Sequence, residues 1–307
     1  MVVNRQPIEA LQMSSCPHDP CAGLACPAPY TAAADDALCT CECKRMRPLP
    51  PALLHQSWST SSIAQMSPQI AACVRSWAAV NPSMRHQIYD DAMQDEFIRK
   101  HYPQWAPLYF ESLVRAVERS DVFRYLVVHK YGGFWADIDA LAKRPITSLR
   151  GDLIVGREPQ ANADGFGVLQ YFFGATPRHP FFTEHLLPLV AERARRRRDD
   201  RSLNSVLWVT GPQAFTAAYK AYVRARRLEG GVDRDVSTPT TFKWDADVLP
   251  TCALGAWCFD CEKEGATRPY VEHRFLGSWR DPSSLGAWNG SSCPRARRRT
   301  SASVPDG

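Results

Sequence analysis

Tyr131-Gly132-Gly133-Phe134-Trp135-Ala136-Asp137-Ile138-Asp139 is the stretch that decides how this chain folds. Upstream of it, Leu113, Val114, Val117, Leu126 and Val127 recur at helical spacing. The paired glycines end that helix, because glycine adopts the left-handed cap conformation without steric cost. A strand over Phe134–Asp139 follows directly. Side chains two apart on a strand share a face, so Asp137 and Asp139 project together while Ile138 turns to the core. Two carboxylates on one face repel unless a cation lies between them, and hard oxygen ligands suit Mg²⁺ or Mn²⁺. The plainer alternative is a strand end carrying two solvated aspartates.

Outward from this stretch the pattern alternates strand and helix. Ala52–Trp58 reads as a short buried strand. Ser67-Pro68 makes an N-cap and first-turn pair for a helix running towards Ala79, closed by Asn81-Pro82. Arg85–Tyr89 reads as a second strand, and Asp91–His101 as a helix. Beyond the aspartates, strands are expected at Leu153–Gly156 and Val168–Phe173, helices at Pro180–Arg197 and Pro212–Arg227, and a late strand at Tyr270–Phe275. Such alternation predicts an α/β fold with a central, mostly parallel sheet flanked by helices. In such sheets ligands collect at the carboxyl ends of the strands, where the aspartate pair falls.

The 307 residues are 45% hydrophobic and 22% charged, ordinary usage for a chain with a buried core. No apolar run of about 18 residues is present, so no transmembrane segment is expected; Met1–Ala10 lacks the apolar region of a signal peptide. The net charge is +5, and Arg295, Arg297, Arg298 and Arg299 against Asp306 concentrate it in the last eighteen residues. A nucleic-acid partner is therefore not expected, since such binders spread basic charge over a folded face. Arg195–Arg198 reads as the cationic end of a helix, the alternative being a patch for phosphate or acidic lipid.

Eleven cysteines are present. Six (Cys16, Cys21, Cys26, Cys39, Cys41, Cys43) precede residue 44, four (Cys252, Cys258, Cys261, Cys293) come late, and Cys73 stands alone. Clusters in Pro- and Gly-containing segments predict disulfides and an oxidising compartment, with the sequon Asn289-Gly290-Ser291 in agreement. A zinc site is the alternative, although clean CxxC pairs are lacking. Three regions are expected: a cysteine-rich N-terminal stem (1–48), a catalytic domain (49–281) and a basic, unstructured tail (282–307).

Ser120-Asp121-Val122-Phe123-Arg124-Tyr125-Leu126, with Tyr131–Asp139 after it, resembles the sugar-binding region of DXD-containing glycosyltransferases. More narrowly it is similar to glycosyltransferase family 32, the group of yeast-type initiating α-1,6-mannosyltransferases and inositol phosphorylceramide mannosyltransferases. Leu54-His55-Gln56-Ser57-Trp58, Asn81-Pro82, Thr210-Gly211-Pro212 and Gly277-Ser278-Trp279 match further family segments, in family order, over residues 50–281. Two departures stand out: His273 is followed by Arg274 where a histidine pair is usual, and Gly165–Tyr171 lacks the usual Asn.

The resemblance implies a GT-A-type nucleotide-sugar-binding sandwich and a retaining hexosyltransferase, moving mannose from GDP-mannose to a glycan or glycolipid hydroxyl in the Golgi or secretory lumen. A UDP-sugar donor, or an inactive secreted binding protein, is the alternative reading. It further implies Asp137 and Asp139 on Mn²⁺ or Mg²⁺ with His273 as a third ligand, and Trp58 against the nucleotide base. Asp121 and Arg124 would face the donor sugar or diphosphate, and Ser278 and Trp279 would close over the diphosphate. Against these roles stand core packing for Trp58, a surface i,i+3 ion pair for Asp121 and Arg124, and a buried strand histidine for His273.

Overall fold

The computed structural model describes residues 22, 30–35, 40–45, 49–159, 166–197, 202–229, 246–249, 269–274 and 276. The chain divides into two compact units, Met1–Arg47 and Pro48–Gly307. In the first, strands β1 (Tyr30–Asp35) and β2 (Thr40–Arg45) form an antiparallel ribbon, where the sequence shows no sustained period.

The second unit begins with strand β3 (Leu53–Ser57), then helix α1 (Pro68–Val80), strand β4 (Arg85–Tyr89) and helix α2 (Asp91–His101). The local signals account for these boundaries. The Ser67 hydroxyl accepts from the Ile70 N–H and Pro68 occupies the first turn, while the Asp90 carboxylate accepts from the Met93 N–H at 2.9 Å. Helix α3 (Ala116–Tyr131) follows, then strands β5 (Gly133–Ala136), β6 (Ala140–Ala142), β7 (Leu153–Pro159) and β8 (Phe166–Ala175). Helices α4 (Leu187–Arg196), α5 (Leu203–Val209) and α6 (Pro212–Glu229) come next, and strands β9 (Ala246–Leu249) and β10 (Val271–His273) complete the described elements.

Six strands make the main sheet in the order β4-β3-β5-β8-β7-β9. The α/β class expected from the alternation is the one observed, and the sheet is mixed. Strands β4, β3 and β5 run parallel, β8 is antiparallel to both β5 and β7, and β9 is parallel to β7. Strand β6 leaves this sheet and pairs antiparallel with β10, His273 standing opposite Ala140.

Both faces of the sheet are covered. One layer packs Phe123, Tyr125 and Leu126 of α3, Trp135, Phe173 and Phe215. The other packs Leu54, Trp77 of α1, Phe134, Phe172 and Val271. Alternation along β5 sends Phe134 to one layer and Trp135 to the other.

Two sequence expectations are corrected here. Leu113 and Val114 lie ahead of α3: a π-helical turn covers Leu108–Ser112, the chain is extended at Leu113, and α3 starts at Ala116, with the Arg115 N–H donating to the Glu118 carboxylate at 3.2 Å. The helical spacing there belongs to two elements, which is why Val114 is 42% exposed although Leu113 is buried. The expected strand over Phe134–Asp139 stops at Ala136, and Asp137–Asp139 form a turn. The Ala140 N–H donates to the Asp137 carbonyl at 2.9 Å, so the chain reverses into β6.

Gly132 caps α3 with φ 66°, and Gly133 carries φ 91°. Any Cβ on Gly133 would stand 2.6 Å from the Leu53 carbonyl oxygen, so glycine is required both by the dihedral and by the close approach of β3. From β3, His55 fixes this cap: its Nε2 lies 2.9 Å from the Gly132 carbonyl and its Nδ1 3.1 Å from the Tyr89 hydroxyl.

Candidate metal and donor site

Asp137, Asp139 and His273 converge. One ligand atom from each lies within 4.8 Å of the others. His273 Nε2 is 3.1 Å from Asp139 Oδ1 and 3.7 Å from Asp137 Oδ2. The two aspartates meet across a turn rather than along a strand face. Ile138 does point to the core as expected, into a small cluster with Met66, Ile70, Ala71 and Val74. His273 reaches the site because β10 pairs with β6, which begins one residue after Asp139. The Leu276 N–H donates to Asp139 Oδ2 at 2.9 Å, and the Arg274 N–H to the Asp139 carbonyl at 3.0 Å.

Arg124 stands behind Asp137. Its Nη1 donates to Asp137 Oδ1 at 2.8 Å and its Nη2 pairs with Asp121 Oδ1 at 3.0 Å. The Trp135 indole N–H donates to the same Asp137 oxygen at 2.9 Å, and the guanidinium lies 5.0 Å from the Trp135 ring centroid. Asp121 and Arg124 are 3% and 6% exposed, so this is an interior pair and not the surface alternative. Helix α3 is buried on almost every side from Asp121 to Val128, which leaves its charged residues no route to water. They are compensated instead. The Thr210 hydroxyl donates to Asp121 Oδ2 at 2.8 Å, and Gln170 Nε2 donates to Asp121 Oδ1 at 3.1 Å. Tyr125 donates to the Thr210 carbonyl at 2.6 Å.

Burial alone would raise the Asp137 carboxyl, but Arg124, His273 and the Trp135 indole outweigh it and hold its pKa below the ordinary value. Burial pushes Asp121 up to about 6, against the pull of Arg124, Thr210 and Gln170. Burial disfavours a charged His273, yet its hydrogen bonds and charge attraction to Asp137 and Asp139 raise it to about 9. An imidazolium thus satisfies the two carboxylates in the metal-free protein. Two carboxylates and one imidazole, gathered on one point and braced from behind by Arg124, form a donor set that fits Mn²⁺ or Mg²⁺.

Trp58 lies at the carboxyl end of β3, half-buried, packed on the cluster that holds Ile138. Its backbone N–H donates to the Tyr89 carbonyl at 3.0 Å. Ser278 and Trp279 lie outside the described residues, as do the late cysteines, the sequon and the basic tail. Of the early cysteines, Cys41 and Cys43 fall on β2 and the others lie outside as well. Trp135, Gln170 and the Leu276 N–H carry site contacts that sequence reading did not assign. Thr210 enters the sequence reading only within the Thr210-Gly211-Pro212 family match, and nothing local couples it to a carboxylate 89 residues away.

Residues 67–155 match the family model described as the glycosyltransferase sugar-binding region containing the DXD motif. Inositol phosphoceramide mannosyltransferase 2 of Schizosaccharomyces pombe is 26% identical over 58% of this chain and 48% of its own length. The initiation-specific alpha-1,6-mannosyltransferase of the same yeast is 24% identical over 73% of this chain and 63% of its own. Overall the chain spans about half the length of the first curated relatives it matches. The structure of PaToxG glycosyltransferase overlays with a TM-score of 0.45 at 19% identity, covering 73% of this chain and 89% of that one. That likeness is loose, and the α/β assignment rests on this chain's own strand order. The aspartate pair, its arginine, and the helix α3 and strand β5 that carry them fall inside the segment that matches the DXD-containing glycosyltransferase sugar-binding region.

Proposed function

We propose that the chain is a metal-dependent, retaining hexosyltransferase that moves mannose from GDP-mannose to a glycan or glycolipid hydroxyl. The observation that carries this reading is the convergence of Asp137, Asp139 and His273 at the end of β5, the two aspartates lying inside the matched region. The curated relatives are named as mannosyltransferases, which supports the choice of sugar. Asp137, Asp139 and His273 would hold Mn²⁺ or Mg²⁺, and the bound ion supplies neutralisation of the diphosphate charge as the nucleotide leaves. Arg124 fixes the rotamer of Asp137 and lends positive charge to the site. Asp121 holds Arg124 in place and so contributes to donor binding through it. Trp58, at the carboxyl end of the neighbouring strand, would face the nucleotide base. A Golgi or secretory lumen is the compartment that the cysteine clusters and the sequon favour.

A donor screen tests the reading. Purified protein with Mn²⁺ and a panel of nucleotide sugars should release nucleotide from GDP-mannose, and EDTA should abolish that release. Preference for a UDP-sugar would change the donor and keep the chemistry. Full turnover in chelator would remove the metal from the mechanism.

A further inference from the structure

The turn that aims Asp137 and Asp139 is pinned through several of its backbone polar groups. The Asp137 N–H donates to the Tyr171 carbonyl at 2.8 Å, and the Asp139 carbonyl is bonded by the Arg274 N–H at 3.0 Å. The indole N–H of Trp77, on α1, donates to the Ala140 carbonyl at 2.8 Å. The Asp137 carbonyl accepts twice, from the Ala140 N–H and from Gln56 Nε2 at 3.0 Å. Gln56 is fully buried on β3, on the sheet face that also carries Leu54. Its other amide atom, Oε1, lies 2.8 Å from Nε2 of His86 on β4.

The polarity of this chain of bonds is fixed. A carbonyl oxygen only accepts, so Gln56 must present its NH₂ to Asp137. Oε1 is then left facing His86, which must carry its proton on Nε2. Burial keeps His86 neutral by lowering its pKa to about 4, which agrees with that tautomer. The bonds thus run His86 to Gln56 to the Asp137 carbonyl. Glutamine alone has both the reach and the paired donor and acceptor for this position. Glutamate would set a carboxylate oxygen against the carbonyl, and methionine would offer neither group.

We propose that Gln56, oriented by His86, is a positioning residue for the metal site: it locks the Asp137–Ala140 turn and thereby the spacing of the two carboxylates. Because this role rests on the metal-dependent reading above, its test is metal binding rather than transfer. Groups that orient ligands without touching the ion commonly change metal affinity by about 10- to 100-fold.

The experiment measures the Mn²⁺ Kd of the intact chain by electron paramagnetic resonance, with the metal-free unfolding midpoint as a folding control. Gln56→Met keeps length and apolar volume and should weaken Mn²⁺ binding roughly 10- to 100-fold. Gln56→Glu should weaken it at least as much. His86→Phe should weaken it less, about 3- to 10-fold, and should add nothing in a Gln56→Met background, because His86 acts only through Gln56. A folded Gln56→Met chain with a Kd within twofold of wild type overturns the proposal, as does additivity of the two substitutions or a wild-type chain that binds no Mn²⁺. If Gln56→Met does not fold, His86→Phe decides: an unchanged Kd overturns the proposal. A wild-type chain that shows this Kd series yet cleaves no nucleotide sugar would sink the transferase reading and leave the brace standing. Normal turnover with flat Kd values would do the reverse.

Discussion

Asp139 sits where two distant parts of the chain meet: its carboxylate faces His273 and is bonded by the Leu276 N–H, and its carbonyl is bonded by the Arg274 N–H. Asp139→Ala removes one of the two carboxylates that face His273. Loss of about 100-fold or more in transfer is expected, since preorganised electrostatic groups are worth roughly 3 kcal/mol in a transition state; kcat/KM against GDP-mannose measures it. Arg124 spends two different nitrogens on two different carboxylates. An ammonium cannot span both, so Arg124→Lys should lower activity although charge is kept. Unchanged KM and kcat would show that Arg124 is dispensable to the chemistry. His273 gives a pH dependence whose sign follows from its raised pKa. In the metal-free protein, its stabilising interaction is complete below about 6.5 and is lost as pH rises through about 9. A divalent ion needs the neutral imidazole, so each ion bound expels one proton. Mg²⁺ or Mn²⁺ affinity should therefore rise by about tenfold per pH unit between pH 7 and 8.5, measured by calorimetry, and His273→Ala should flatten that slope.

Among the elements, the joint between α3 and β5 is the tightest. Gly133→Ala would force a Cβ to within 2.7 Å of the Leu53 Cβ, on a backbone already at φ 91°. Strand β3 cannot retreat, because it pairs with both β4 and β5. Destabilisation of about 2 kcal/mol or more is expected, seen as a drop in the thermal midpoint, since neither strain nor overlap can relax. A midpoint within a degree of wild type would mean that β3 yields after all. The Ser67 N-cap, the glycine stop and the strand of Arg85–Tyr89 were legible from sequence because each depends on neighbours within a turn or two. The turn at Asp137–Ala140 was not. Alternation continues through Asp137-Ile138-Asp139, and what ends the strand is the Ala140 bond and the departure of β6 to a partner about 130 residues later.

Across the chain, two kinds of cysteine are expected. Cys73 is a buried, free thiol on α1, and burial, with Asp139 and Glu272 nearby, pushes its pKa up to about 11. It should resist alkylation until the protein is denatured. Produced through a secretory route, the protein should carry disulfides within the 16–43 and 252–261 clusters, read by mass spectrometry before and after reduction. Eleven free thiols, or stoichiometric zinc, would go against an oxidising compartment. Among the described residues, no helix is long and apolar enough to cross a membrane.

Much of the order of elements in the second unit (β6, α5 and β9 excepted), the glycine cap, the aspartate pair and its family resemblance were written in the sequence, since each is carried by residues within reach of one another along the chain. Tertiary structure decided the rest. It turned Asp121 and Arg124 inward, because a helix packed on nearly all sides buries whatever it carries, and it compensated them with Gln170 and Thr210 from distant elements. It also chose which carboxylate oxygens face which partner. It brought His273 to the aspartates through the β6–β10 pairing, a contact across more than 130 residues. Strand partners so far apart leave no periodicity to read, because their pairing is set by the register of hydrogen bonds and by the surface each strand finds to cover.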